Sequence, residues 1–274
     1  MFTLVDADQA GTLLKEEFSS AFNKWHQGHC IYRNCHDHGD IFIAEPEIRT
    51  SSDTSNEYTV LISELLPSWR SFPKRNRCFI GSTCSFIADE YTGPLRSTYC
   101  VFPLNRSEIA LCSKRDMWES FPSLERETGI CNIDIFNKIL SSFLSELLNT
   151  DKSVHMTEFE ISELFNRSNV SEINNIFGKA CDILKASSIR DLSKIKVSSV
   201  QSSVQQRLLC LFYNGVVKED KSFTDVLDKL LSPSKNSFSK LSIENYDASA
   251  IVEVWFGGKC LFVKAEKMNE LSTA

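Results

Sequence analysis

The chain has 274 residues, 42% hydrophobic and 11% aromatic, which is enough for a sizeable buried core in one large domain or two modest ones. A formal charge of −6, with no block of clustered Lys and Arg, excludes a non-specific nucleic-acid binder and leaves room for a small dinucleotide. Ten cysteines without a C-x-x-C pair, a start lacking a basic n-region and an apolar core, and no apolar run near the roughly 20 residues that span a bilayer point to reduced thiols in a cytoplasmic protein that meets no membrane.

Leu14, Phe18, Phe22 and Trp25 recur at helical spacing with charged residues between them, predicting one amphipathic helix that ends near Gly28. Cys30 to Arg33 is a short apolar run ending in an arginine, Asn34 to Asp40 a polar loop, and Ile41 to Ala44 a second strand. An arginine at a strand end either projects its fork toward phosphate or carboxylate oxygens or is a plain surface charge. His26, His29, Cys30, Cys35, His36 and His38 bunch here, but the spacing fits no structural zinc pattern, so they read as loop residues and no metal is expected.

Tyr58, Leu61, Ile62, Leu65 and Leu66 give a helix closed by Pro67, and Lys74, Arg75 and Arg77 form a small basic patch that either attracts a pyrophosphate or, the favoured reading, is solvated turn charge. The central stretch, Cys78 to Tyr91, is a strand ending in Ser82 and Thr83 with a helical segment at once behind it. This puts hydroxyls where backbone N–H groups lack partners, either as ordinary N-caps or for chemistry. Thr98 to Pro103 is a second apolar run, and Val101 to Cys112 reads as strand, turn, strand. Beyond Gly129 the period becomes helical: Ile135, Ile139, Phe143 and Leu147 form one stripe, Val170 to Leu184 a second, and Leu208 to Phe212 and Phe223 to Leu230 two more. Ala250–Phe256, a Gly257-Gly258 turn and Lys259–Val263 read as a hairpin, with Glu253 anomalous inside an apolar strand.

Taken together and in order, Tyr32-Arg33, then Gly81-Ser82-Thr83-Cys84 with Ala88 and Tyr91, then Glu253-Val254-Trp255-Phe256-Gly257-Gly258, resemble the Arg, Ser-Thr-Ser and Glu motifs of mono-ADP-ribosyltransferases of the Arg-Ser-Glu class. The resemblance implies an α+β fold with a split mixed or antiparallel β-sheet core, N-terminal helices and a large helical insertion. Residues 1–127 would carry the Arg and Ser-Thr motifs, 128–240 the helical insertion or subdomain, and 241–274 the strands that complete the catalytic sheet. The implied activity is transfer of ADP-ribose from NAD, the substrate, to a protein target, in a divergent effector-like or phage-type enzyme of the kind delivered into host cells.

Residue by residue, the resemblance makes Arg33 the pyrophosphate anchor, Ser82 and Thr83 the brace of the site, and Glu253 the carboxylate at the nicotinamide ribose. Phe86 or Tyr91 would stack on nicotinamide, or else pack in the core. Cys84 replaces the second serine of the middle motif. Ile251 stands where members that modify arginine or asparagine carry Glu or Gln, so the acceptor is open. Because the helical block is long, Glu119 is the reserve for Glu253, and Arg49 for Arg33. The competing readings are a non-enzymatic interaction protein that binds a partner through the helical block, an NAD glycohydrolase, and a hydrolase built on Cys84 or Cys35.

Overall fold

In the computed structural model, which describes residues 2–48, 56–90, 95–197, 201–247 and 249–272, the chain is α+β and divides into two compact units. A sheet unit comprises Met1–Arg49, Phe72–Met117 and Phe238–Ala274, and a helical unit comprises Thr50–Ser71 and Trp118–Ser237. The strands are β1 (Phe2–Leu4), β2 (Tyr32–His36), β3 (Ile41–Ala44), β4 (Phe79–Ser82), β5 (Arg96–Pro103), β6 (Glu108–Leu111), β7 (Ser239–Ser242), β8 (Glu253–Phe256) and β9 (Cys260–Lys264). The helices of the first half are α1 (Ala7–Lys15), α2 (Ser19–His26), α3 (Glu57–Val60), α4 (Ser85–Asp89), α5 (Pro122–Thr128) and α6 (Ile133–Leu148). Those of the second half are α7 (Glu158–Asn166), α8 (Val170–Ala186), α9 (Ile189–Leu192), α10 (Ser202–Tyr213), α11 (Phe223–Leu231) and α12 (Met268–Ser272). Among the described residues no helix is long and apolar enough to cross a membrane.

The strands form one nine-stranded sheet in the order β1-β3-β9-β5-β2-β4-β8-β6-β7, and every pairing is antiparallel, so the sheet is not mixed. β8 and β9 are not a hairpin: β8 lies between β4 and β6, β9 between β3 and β5. In this order four strand spacings, about 19 Å, separate them. The chain from Phe256 to Cys260 reaches at most about 14 Å. The sheet is therefore folded over, and its seam is the β2–β4 junction, which rests on one residue pair, Tyr32 opposite Ser82. Across the fold the Phe79 ring of β4 meets the Phe262 ring of β9 edge-on at 5.1 Å. Phe42, Phe262 and Val254 belong to the apolar core so enclosed. Gly81 is required beside the seam, because a Cβ there would stand 2.7 Å from the Tyr32 carbonyl oxygen.

The single N-terminal helix expected from periodicity is two, α1 and α2. Asn105, from the turn between β5 and β6, takes up the backbone groups freed at the break: its Nδ2 donates to the Glu16 carbonyl at 2.6 Å and its Oδ1 accepts the Ser20 N–H at 2.8 Å. Residues Asn34 to His36, expected as loop, extend β2 because each pairs with β5. Arg33 is consequently the second residue of a strand rather than its end.

The loop after β2 is tied down by Asp37, whose carboxylate accepts from the Gly39 N–H, Lys264 Nζ and Ser97 Oγ, each at 2.9 Å. These bonds, the Gly39 N–H first, hold its carboxyl well below the usual aspartate range. A depressed folded-state pKa contributes stability that is complete above the unfolded value near pH ~3.9 and is lost as pH falls toward the folded value. Asp37→Asn is expected to flatten the fall in melting temperature between about pH 5 and pH 3. An unchanged slope in thermal melts would mean that these bonds are not held in solution.

In the helical unit, Phe177, Phe223, Phe212 and Phe143 form a continuous run of ring contacts, with centroids 5.1, 4.4 and 5.3 Å apart in turn. The stripe on α11 is buried as the spacing indicates, and that on α8 is buried at Ile173, Ile176, Phe177, Ala180 and Leu184, with Val170 and Cys181 half-buried. On α6 the buried face is rotated: Phe136, Leu140, Phe143, Leu144 and Leu147 are inside and Ile135 is 48% exposed. Residues 50–71 group with the helices; Ser68 donates through both N–H and Oγ to Asp228 on α11, and the Trp69 indole donates to the Leu231 carbonyl at 2.9 Å. The apolar run after α3 is a π turn, Leu61–Leu65, with Pro67 starting a 3₁₀ turn behind it.

Candidate functional site

β8 lies between β4 and β6, and all four of its residues are buried, Glu253 among them. Glu253 is only 8% exposed, and both of its oxygens are engaged. Oε1 accepts from Arg75 Nη2 at 2.9 Å and Nε at 3.2 Å, and Oε2 accepts the Met117 N–H at 3.2 Å. The segment Cys112–Met117 wraps the residue: the Cys112 N–H donates to the Glu253 carbonyl at 2.9 Å, and the Glu253 N–H donates to the Lys114 carbonyl at 3.3 Å.

Arg75 opens a 3₁₀ turn, Arg75–Arg77, just before β4, and is 6% exposed. It is a buried ion-pair partner and not turn charge, whereas Lys74 and Arg77 of the same patch are exposed. Burial pushes the neighbouring Cys78 thiol up to about 12, with the Arg75 guanidinium pulling the other way.

Ser82 is buried and lies directly opposite Glu253 in the β4–β8 register, with Tyr32 opposite Ser82 on the other side. Residues facing one another across antiparallel strands share a face, so Tyr32, Ser82 and Glu253 form a row on one side of the sheet. Neither hydroxyl of the middle motif caps α4 directly: its N-cap residue is Cys84, without a side-chain cap bond. Ser82 Oγ instead accepts the Cys84 N–H at 3.1 Å. Thr83 Oγ1 donates to the Ala250 carbonyl at 2.8 Å and accepts the Val252 N–H at 3.0 Å, stapling the approach to β8.

Arg33 follows Tyr32 and so points to the opposite face. Its guanidinium lies 5.5 Å from the centroid of the Phe79 ring and donates to the Ile80 carbonyl. Ser82 and Glu253 are thus brought together, and the guanidinium that meets the carboxylate is that of Arg75. The sequence signal for Arg75 was its place in the basic patch; nothing local marked its partner. Phe86 on α4 is 70% exposed, a ring available for stacking and not a core residue. The reserve Glu119 is exposed and belongs to the helical unit. Tyr91 and Arg49 lie outside the described residues.

No family model, curated protein or solved structure matches this chain.

Three of the five histidines have ring or charge contacts, and His36 and His155 are exposed. His26 sits edge-on to Phe22 at 4.4 Å, His38 lies against Phe2 and Phe42, and His29 Nδ1 is 3.5 Å from Asp247. Among the described residues no three His, Cys, Asp or Glu side chains are grouped to hold a metal ion. All ten cysteines are free thiols, and burial raises the pKa of Cys35, opposite to what an activated nucleophile needs.

Proposed function

We propose that the sheet unit is a mono-ADP-ribosyltransferase that uses NAD as substrate and Glu253 as its catalytic carboxylate. The observation that supports this most is the register of β4 and β8, in which Ser82 of the Ser-Thr motif lies opposite Glu253. The motif strands β2, β4 and β8 are also immediate neighbours. In this reading the folded antiparallel sheet is the split transferase core, and Arg75 takes over the guanidinium role that the motif order gave to Arg33.

The C–N bond between nicotinamide and ribose breaks, and its electron pair leaves with nicotinamide. A cation-like centre is left at the ribose, and a nucleophile of the target bonds to it and loses a proton. A fixed carboxylate beside the ribose favours charge that develops only in the transition state. Oε2 accepts one bond, from the Met117 N–H, and keeps a lone pair for a ribose hydroxyl, but Glu253 is buried, so the segments carrying Arg75 and Met117 must part to admit the ribose. Ile251 is 54% exposed and offers no carboxylate or amide to orient an acceptor, so the target supplies its own geometry.

A second reading, an interaction protein without catalysis, is favoured by the burial of Glu253 with both oxygens hydrogen-bonded within the protein, the pattern of a structural ion pair. Incubating the full chain with NAD labelled in the adenylate half and a cell lysate separates the two. Transfer of label to protein supports the transferase, and NAD breakdown without transfer identifies a glycohydrolase. Intact NAD after prolonged incubation leaves the interaction protein.

A further inference from the structure

The helical unit holds a cleft of about 390 Å³ at the junction of α10, the π turn Asn214–Lys218 and α11. Its rim carries four cationic side chains, Arg207, Lys221, Lys229 and Lys235, against two carboxylates, Glu127 and Glu219. The balance is an excess of two positive charges in a chain whose net charge is −6. Glu219 is already occupied, by Lys221 at 2.5 Å and Lys229 at 3.7 Å. Among the described residues neither Arg207 nor Lys235 has a carboxylate partner, and both are exposed at the rim. Leu211, Val226 and Leu230 supply apolar wall.

The backbone around the cleft is unusual in a way that serves it. A π turn widens the helix end, and such turns gather at functional sites. Its Gly215 permits the turn to lie flush on α11, since a Cβ there would stand 2.4 Å from Val226 Cγ2. A concave site of this size, with apolar walls and a few converging polar groups, suits one small molecule. The converging groups are cations, and a guanidinium fork matches phosphate oxygens.

We infer that this cleft binds a phosphorylated small molecule of mononucleotide size, its phosphate held by Arg207 and Lys235 and its body against the apolar wall. The inference does not depend on the role given to Glu253.

The test is calorimetric titration of the full chain with AMP, with adenosine as the phosphate-free control. AMP is expected to bind, adenosine at least about tenfold more weakly, and the double variant Arg207→Ala/Lys235→Ala to lose at least about tenfold in affinity at an unchanged melting temperature. The same double variant is expected to leave any NAD turnover as it is, which separates this site from an NAD site in the sheet unit. Cys210, an exposed cleft residue, gives an independent readout: AMP should slow its alkylation, followed by peptide mass, without slowing that of the exposed Cys131 outside the cleft. Absence of AMP binding at millimolar concentration, equal binding by the double variant or by adenosine, or unprotected Cys210 would each overturn the assignment.

Discussion

Arg75→Ala is expected to lower the unfolding free energy by about 3–5 kcal/mol, the usual cost of leaving one member of a buried ion pair without the other. Glu253 cannot turn to water, since it is 8% exposed on an interior strand. What remains to it after the substitution is one backbone N–H, that of Met117, at 3.2 Å. The informative companion is Arg75→Met/Glu253→Gln, which removes both charges at similar volume and is expected to fall within about 1–2 kcal/mol of the native chain. Urea unfolding of the three proteins measures the difference. If Arg75→Ala unfolds at the native midpoint, the pair is solvated in solution and the site as described does not exist.

The second large effect concerns catalysis. Under the transferase reading, Glu253→Gln should reduce NAD turnover by about 10²–10³, the range for removing one group that stabilises charge in a transition state. Glutamine keeps the shape and an oxygen that can accept from Arg75, so a loss of turnover without loss of secondary structure isolates the charge. Arg33→Ala, on the opposite face, should leave the KM for NAD unchanged. If instead Arg33→Ala abolishes turnover and Glu253→Gln does not, the carboxylate has been misassigned and the substrate lies on the other side of the sheet.

The sequence made local features legible and long-range ones opaque. β3, β4, α8 and α11 follow from apolar period and bounding polar residues, because neighbours in sequence decide them. The partner of each strand is not local: Gly257-Gly258 is a good hairpin signal, yet β8 and β9 turn away from each other to fill separate interior places. α6 shows the same limit, since its apolar residues allow two stripes, and only the neighbouring helices select the one containing Phe136 and Leu140. At the site, the order of the motif residues was legible and Ser82 does face Glu253, but Arg75 looked like turn charge because its partner lies 178 residues away. Strand alternation alone was enough to place Tyr32 and Arg33 on different faces. Knowing which of the two shares a face with Ser82 required the register.

The placement of β8 and β9 bears on how the protein is made. Both leave the ribosome after the other seven strands, yet each is flanked by earlier ones on both sides. Until they arrive, β3 and β5 lack the strand between them, as do β4 and β6, and four bare edges are open to wrong partners. A chain interrupted between Ser237 and Glu253 is therefore not a shorter protein with one function missing but a sticky intermediate with no sheet to close.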